Sequence, residues 1–428
     1  MAEIARATAE DCAQLADIQF DAFYPSKIHQ HFFGKVTKED HSEHFTKMLT
    51  RCAENDNMAV FKAFVKDEQG NEKLVGLGFW DLPKTDEQKK KEEEAKKKAQ
   101  EEAAGKTDEE KRQAKEKSFP PGADFEGAAA YFSRLPPKVD EPFIRLSLLA
   151  IDPATQRTGA GAKLLQWGCR EADKRGVASY LEATDVGIGL YKKYGYEMWN
   201  EPIVAAENNE LILWPMRRPP LELRTFRRSD FPSMCEIYYE AFEPTTIWKY
   251  NFSKVTREAS NRCFKKRLEN WFDEIDNDGN TCTDKKEVMV AVRGKEVLGF
   301  AVWDKLPEKS ERKEKKAPYI LPEGADEERT KGLFDAIRAA TGEYEKKHWY
   351  LALLAVHPKA QKGGVGRLLC QWGIDQAKKD EADVLLGSTE FGKALYESLG
   401  FKEHGEPVAA PQDPSVVNWT MVLPHEKE

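Results

Sequence analysis

Leu146-Ser-Leu-Leu-Ala-Ile-Asp152-Pro-Ala-Thr-Gln156-Arg-Thr-Gly159-Ala-Gly161 runs from an apolar stretch through a proline into a Q-x-x-G-x-G loop. The same order returns at Leu351-Ala-Leu-Leu-Ala-Val-His357-Pro-Lys-Ala-Gln361-Lys-Gly-Gly364-Val-Gly366. Residues 146–202 align with 351–407 without a gap, and 22 of these 57 positions are identical, so the chain contains an internal repeat. Upstream, IHQHFFGKVT (28–37) pairs with IWKYNFSKVT (247–256), and VGLGFWD (75–81) with LGFAVWD (298–304). The 428 residues therefore read as one domain used twice: 1–217, with a charged insertion at 84–117, and 221–428, joined at Arg217-Arg218-Pro219-Pro220.

Each copy mixes helices and strands. Ala9–Phe23 places Cys12, Leu15, Ile18 and Ala22 at helical spacing after Thr8 and Asp11, and Ser229–Phe242 repeats the pattern. Met58–Val65 with Leu74–Trp80, and Val288–Val292 with Val297–Trp303, predict hairpins with Gly-containing turns. LSLLAID and LALLAVH are apolar throughout, which predicts central strands buried on both faces. The expected fold class is mixed α/β (α+β), with each copy a twisted mixed sheet flanked by helices.

A helix starting at either Q-x-x-G-x-G loop directs unpaired backbone N–H groups and its positive dipole end at an anion, and glycine lets a diphosphate approach the backbone. Arg157 and Lys362 add a cation at the rim. No G-K-[ST] follows, which excludes a Walker-type loop, and the G-x-G-x-x-G order of a dinucleotide fold is absent.

Composition narrows the function. With 66 basic and 74 acidic residues the net charge is −8, which leaves no basic excess for nucleic acid. No apolar run approaches the ~20 residues that span a bilayer, and the start MAEIARATAEDCAQL lacks the order of a secretory signal, so a cytoplasmic protein is expected, the nucleus remaining open. Seven dispersed cysteines without a C-x-x-C pair imply neither a disulfide framework nor a zinc site. The insertion Lys84–Lys117 holds 12 basic and 11 acidic residues, with acids four residues ahead of bases (Asp86/Lys90, Glu92/Lys96), which suits an exposed helix. It reads as a solvated helix or disordered excursion, with docking of a protein partner as the alternative.

These loops, twice followed by an L-Y-x-x-x-G-[FY] segment at Leu190–Tyr196 and Leu395–Phe401, resemble the GNAT superfamily of acetyl-CoA-dependent N-acetyltransferases. LEATDVG and LGSTEFG are similar to a segment of fungal-type members. The resemblance covers nearly the whole chain outside the insertion. It implies that acetyl-CoA is the cosubstrate, without a metal, and that a primary amine accepts the acetyl group. The loop amides of Gln156, Arg157, Thr158, Gly159, Ala160 and Gly161, and of Gln361, Lys362, Gly363, Gly364, Val365 and Gly366, would hold the pyrophosphate. Backbone groups of Leu149, Ala150 and Ile151, and of Leu354, Ala355 and Val356, would pair with the pantetheine arm. Tyr191 and Tyr396 would donate a proton to the departing thiolate, a role open to a phenol of pKa ~10. Packing beside the coenzyme is their alternative.

The amine also needs a base. Glu182, an acid in an apolar strand, is the candidate, against an ion-paired structural acid; its counterpart is Gly387, which favours the first copy as the active one. The competing class is a non-catalytic acyl-CoA-binding or scaffold protein. His29, His31, His41 and His44 fall within sixteen residues, and read as surface, substrate contacts or metal ligands. Glu274–Lys285 resembles a calcium loop but has Lys285 where a bidentate Glu is required, so it reads as a turn. Trp80 and Trp303 read as core anchors.

Overall fold

The structure, a computed structural model, describes residues 2–66, 68–135, 139–205, 208–272, 286–312 and 319–425. The calcium-like stretch lies outside them. The chain divides into two compact units, Met1–Pro220 and Leu221–Glu428.

In the first unit β1 (Glu3–Arg6) leads into α1 (Cys12–Phe23), α2 (Lys27–Phe33) and α3 (Lys38–Ala53), then the hairpin β2 (Met58–Lys66) and β3 (Glu72–Asp81). The insertion forms α4 (Asp86–Ala104) and α5 (Asp108–Glu116), followed by α6 (Phe125–Phe132). Ion pairs such as Glu87–Lys91 (2.7 Å) run along the exposed face of α4. Then come β4 (Phe143–Ile151), α7 (Ala160–Arg175), β5 (Ala178–Ala183), α8 (Ile188–Lys193), β6 (Glu197–Met198), β7 (Ile203–Ala205) and β8 (Asn208–Arg218). The strand order is β1-β2-β3-β4-β5-β8-β6, with β7 beside β8. Among the described residues of this unit only β4 and β5 pair in parallel, as a strand–helix–strand crossover through α7 requires.

The second unit repeats this plan: β9 (Leu221–Thr225), α9 (Phe231–Phe242), α10 (Thr246–Phe252), α11 (Arg257–Phe272), β10 (Lys286–Arg293), β11 (Glu296–Leu306), α12 (Glu327–Gly342), β12 (His348–Val356), α13 (Val365–Lys379), β13 (Asp383–Ser388), α14 (Lys393–Glu397), β14 (Lys402–Glu403), β15 (Val408–Ala410) and β16 (Asp413–Leu423). Its sheet order is β9-β10-β11-β12-β13-β16-β14, and β12–β13 is the parallel pair.

Alternation along the strands feeds two cores. Ile144 and Leu146 of β4 and Leu181 of β5 pack with Leu164 and Leu165 of α7, while Val60, Leu77 and Ala150 face Leu15 of α1 and Leu49 of α3. Trp80 and Trp303 are fully buried, each pressed so closely on a glycine of the crossover helix, Gly168 or Gly373, that a Cβ there has no room.

Two expectations change. Arg217 and Arg218 belong to β8 and are not linker: Arg218 is buried, bonded through both terminal nitrogens to Asp173 (2.7 Å each) and through Nε to the Tyr194 carbonyl. Nor is β4 buried on both faces, because Ser147, Leu148 and Leu149 are only half-buried. Among the described residues no helix is long and apolar enough to cross a membrane.

Removing one partner of a buried ion pair strands the other charge. Arg218→Leu should destabilise the first unit by about 3–5 kcal/mol in urea denaturation. Adding Asp173→Lys, which copies the Leu423 and Lys378 found at these positions in the second unit, should recover most of the loss.

Candidate active site

The site begins with one extra residue. Trp80 pairs with Leu146 and Phe79 with Leu148, so Ser147 is a β-bulge in β4. A bulge bends its strand. Pairing of β4 with β5 accordingly stops at Leu146–Leu181, while β3 follows β4 to Ile151. Residues 147–151 thus have a paired edge toward β3 and an unpaired edge toward β5. The second unit repeats the device with Ala352 as the bulge and pairing that ends at Leu351–Leu386.

The loop after β4 sits at the end of this cleft. Gly159, the N-cap of α7, has φ +86°, and Gly364 has φ +90°, a left-handed conformation that glycine adopts without strain. Arg157 (φ +64°) and Lys362 (φ +59°) adopt it despite a Cβ, at a cost of about 1–2 kcal/mol. Strain kept at the same position in both units marks a backbone shaped for a purpose. Among the described residues the amides of Gln156, Arg157, Thr158 and Gly159 meet no acceptor, and Ala160 and Gly161 open the first turn of α7. In the second loop Gln361 and Gly363 spend their amides on turn bonds to His357 and Ala360.

Tyr191 on α8 is buried in the cluster shared with α7 and β5, and burial pushes its phenol up to about 12. A Cβ on Gly187 would lie 2.7 Å from the Tyr191 ring, which explains the glycine of LEATDVG; Gly392 and Tyr396 repeat the contact. Burial likewise raises Tyr396 well above the usual phenol range.

Glu182, on the face of β5 away from α7, is held by Arg145 of β4: Nε (3.1 Å) and Nη2 (2.7 Å) both donate to Oε2. Arg145 Nη1 also donates to the Ser147 hydroxyl, which donates to Asp81. Burial raises the Glu182 carboxyl, against the opposing pull of Arg145. A cavity of about 230 Å³ opens beside it, lined by Tyr180, Trp199 and Glu201 among others. Glu182 is thus ion-paired, and the pair leaves Oε1 without a bond to Arg145.

The Acetyltransferase (GNAT) family model matches residues 81–196, and the Acetyltransferase (GNAT) domain model matches residues 325–412. The chain is a tandem GNAT acetyltransferase. No curated protein matches it. Similar solved structures include a histone acetyltransferase HPA2 and related acetyltransferase from Corynebacterium glutamicum (21% identity, 49% of this chain and 98% of that one, TM-score 0.32). A PaiA N-acetyltransferase from Thermoplasma acidophilum in complex with coenzyme A shares 12% identity over 51% of this chain and 98% of its own, TM-score 0.28. A GNAT family acetyltransferase from Brucella melitensis in complex with acetyl-CoA shares 15% over 49% and 90%, TM-score 0.26.

The two GNAT units differ on the face opposite the crossover helix. In the second, Tyr350 stands for Arg145 and Gly387 for Glu182, which dismantles the ion-pair network. The sequence reading missed Arg145, although an arginine entering an apolar strand beside a strand with a lone acid was the available signal.

His29 and His41 are not surface groups. Both are buried, their rings 5.7 Å apart among Phe20, Phe33 and Phe45, with His41 Nε2 against Gln19 Oε1. Among the described residues no group of three or more His, Cys, Asp or Glu is arranged to hold a metal ion. In the second unit Trp248 and Ser260 take these places and line a 450 Å³ aromatic cavity.

Burial holds His41 neutral, lowering it from 6.5 to about 4. The unfolded chain then takes up the proton first, so this contribution to stability is complete above pH 6.5 and falls as pH drops toward 4. Urea midpoints measured at pH 7 and pH 5 should differ, and the difference should shrink in His41→Phe, which keeps the ring contacts.

Proposed function

We propose that the first unit transfers acetyl from acetyl-CoA to a primary amine by direct attack. The observation that carries this reading is the unpaired edge of β4 at Leu149, Ala150 and Ile151, ending in a strained loop whose amides lack acceptors. An extended pantetheine arm can add to that edge as a strand would, and the pyrophosphate can take the amides of Gln156–Gly161. The second unit has the same open edge at Leu354–Val356, and its loop Gln361–Gly366 is assigned the same role, although there Gln361 and Gly363 must give up turn bonds before their amides can meet a phosphate.

In the reaction the amine nitrogen bonds to the thioester carbonyl carbon, and the carbon–sulfur bond breaks. Tyr191, kept protonated by burial, gives its proton to the departing thiolate. The amine releases a proton to Glu182, whose Oε1 is not engaged by Arg145 and whose carboxyl burial has raised toward the working range. Arg145 positions Glu182 and limits that rise. Tyr396 is assigned the same acid role in the second unit, which has no carboxylate at Gly387.

Coenzyme A thiol release over a panel of amines tests this. In a Tyr396→Phe background, which removes the second unit's acid, Tyr191→Phe should lower kcat by about 100-fold with little change in coenzyme affinity, and Glu182→Gln should lower kcat while keeping an Arg145 contact. Unchanged turnover in Tyr191→Phe would remove the acid role. Coenzyme binding without turnover of any amine by the native chain would favour a scaffold.

A further inference from the structure

The wall opposite α13 in the second unit carries buried polar atoms that no described residue satisfies. Asn251 of α10 (1% exposed), Asn418 (5%) and Thr420 (3%) of β16 are all buried. Asn251 Oδ1, Asn418 Oδ1 and Thr420 Oγ1 lack a hydrogen-bond partner among the described residues, and so does the hydroxyl of Tyr250. Buried polar atoms are rarely left this way, because each forfeits its bonds to water, and several together mark a place that a ligand or water completes.

The first unit shows that these positions belong to one wall. Phe32 there occupies the place of Asn251: the Phe32 carbonyl accepts from the Asp124 amide, as the Asn251 carbonyl accepts from the Asp326 amide. Leu213 and Pro215 of β8 occupy the places of Asn418 and Thr420, since Trp214 pairs with Ala183 as Trp419 pairs with Ser388. Phe32, Leu211 and Leu213 form one apolar cluster. In the second unit the wall keeps Val416 for Leu211, packed with Tyr250, Leu333 and Ala410, and turns polar at Asn251, Asn418 and Thr420. The change at Gly387 belongs to the same set. A Cβ there would lie 2.8 Å from Asn418 Oδ1, so the loss of the Glu182 side chain is what admits the amide.

The geometry points to a second acceptor pocket of different chemistry: the second unit recognises an amine whose body carries N–H or O–H donors, such as an amide-bearing or hydroxylated amine, through Asn251, Asn418 and Thr420. The amide oxygens of Asn251 and Asn418 only accept, so the ligand must donate to them, while the Thr420 hydroxyl can accept or donate. The first unit, with Phe32, Leu213 and Pro215 around the same place, suits an acceptor with an apolar body. The inference rests on the transferase reading for its turnover arm only; binding stands without it.

Serinamide, which offers a hydroxyl and a carboxamide beside its amine, is the probe, with propylamine as the apolar comparison. In the full chain with coenzyme A present, serinamide should raise the melting temperature and propylamine should not. Asn418→Leu, the residue of the first unit, should abolish that shift while leaving the ligand-free melting temperature equal or higher, because an unsatisfied amide is replaced by an apolar group. Thr420→Val should likewise abolish it if the leucine variant does not fold. In a Tyr191→Phe background, serinamide should drive thiol release faster than propylamine, and Asn418→Leu should remove the preference. No serinamide shift in the native chain, a shift that survives either substitution, or a ligand-free melting temperature lowered by Asn418→Leu would overturn the proposal. Serinamide binding without thiol release from any amine would uphold the pocket and sink the transferase reading of this unit.

Discussion

Everything at the candidate site depends on the bulge at Ser147 and its counterpart Ala352. A continuous sheet satisfies its backbone groups by pairing, and a central strand has no reason to leave an edge open. The extra residue bends β4 away from β5 while β3 follows it, so the parallel pair closes at one end and opens at the other. The open end leaves half-exposed apolar residues and unpaired backbone in the middle of the sheet, a cost that suits a strand-like ligand. The left-handed Arg157 and Lys362 extend the same logic into the loops, which hold a strained backbone, and in the first loop four successive amides are left without acceptors among the described residues.

With the scaffold duplicated, divergence is free to act on the opposite face. The first unit places Arg145, Glu182, Asp81 and Ser147 in one charged network beneath apolar Phe32 and Leu213. The second keeps Asp304 for Asp81 but replaces Arg145, Glu182 and Ser147 by Tyr350, Gly387 and Ala352, and installs amides and a hydroxyl. The exchange is coordinated, because Gly387 and Asn418 share one space: a side chain at 387 would meet the Asn418 amide. The crossover helix tells the same story on the other face, where the buried Arg218–Asp173 pair of the first unit is replaced by Leu423 and an exposed Lys378.

Much of this was legible in the sequence because the repeat supplied its own control. The order of strand, loop and helix, the amphipathic α1 and α9, and the hairpins at Trp80 and Trp303 follow from periodicity and turn residues. The open β4 was not legible: LSLLAID is as apolar as a doubly buried strand, since the cleft is lined by apolar side chains and its polar feature is backbone. Arg218 was read as linker because its partner Asp173 is 45 residues away in sequence. The burial of His29 and His41 was hidden for a similar reason, as the rings that enclose them come from three helices. For Asn251, Asn418 and Thr420 the signal was present in the alignment of the copies, as polar residues facing Phe32, Leu213 and Pro215.

The duplicated cleft is the central claim, and titration of coenzyme A into the full chain by calorimetry tests it most directly. Two binding sites per chain are expected, one for each open strand edge and its loop. Saturation at a single site, or no heat of binding by a chain that is folded, would contradict it.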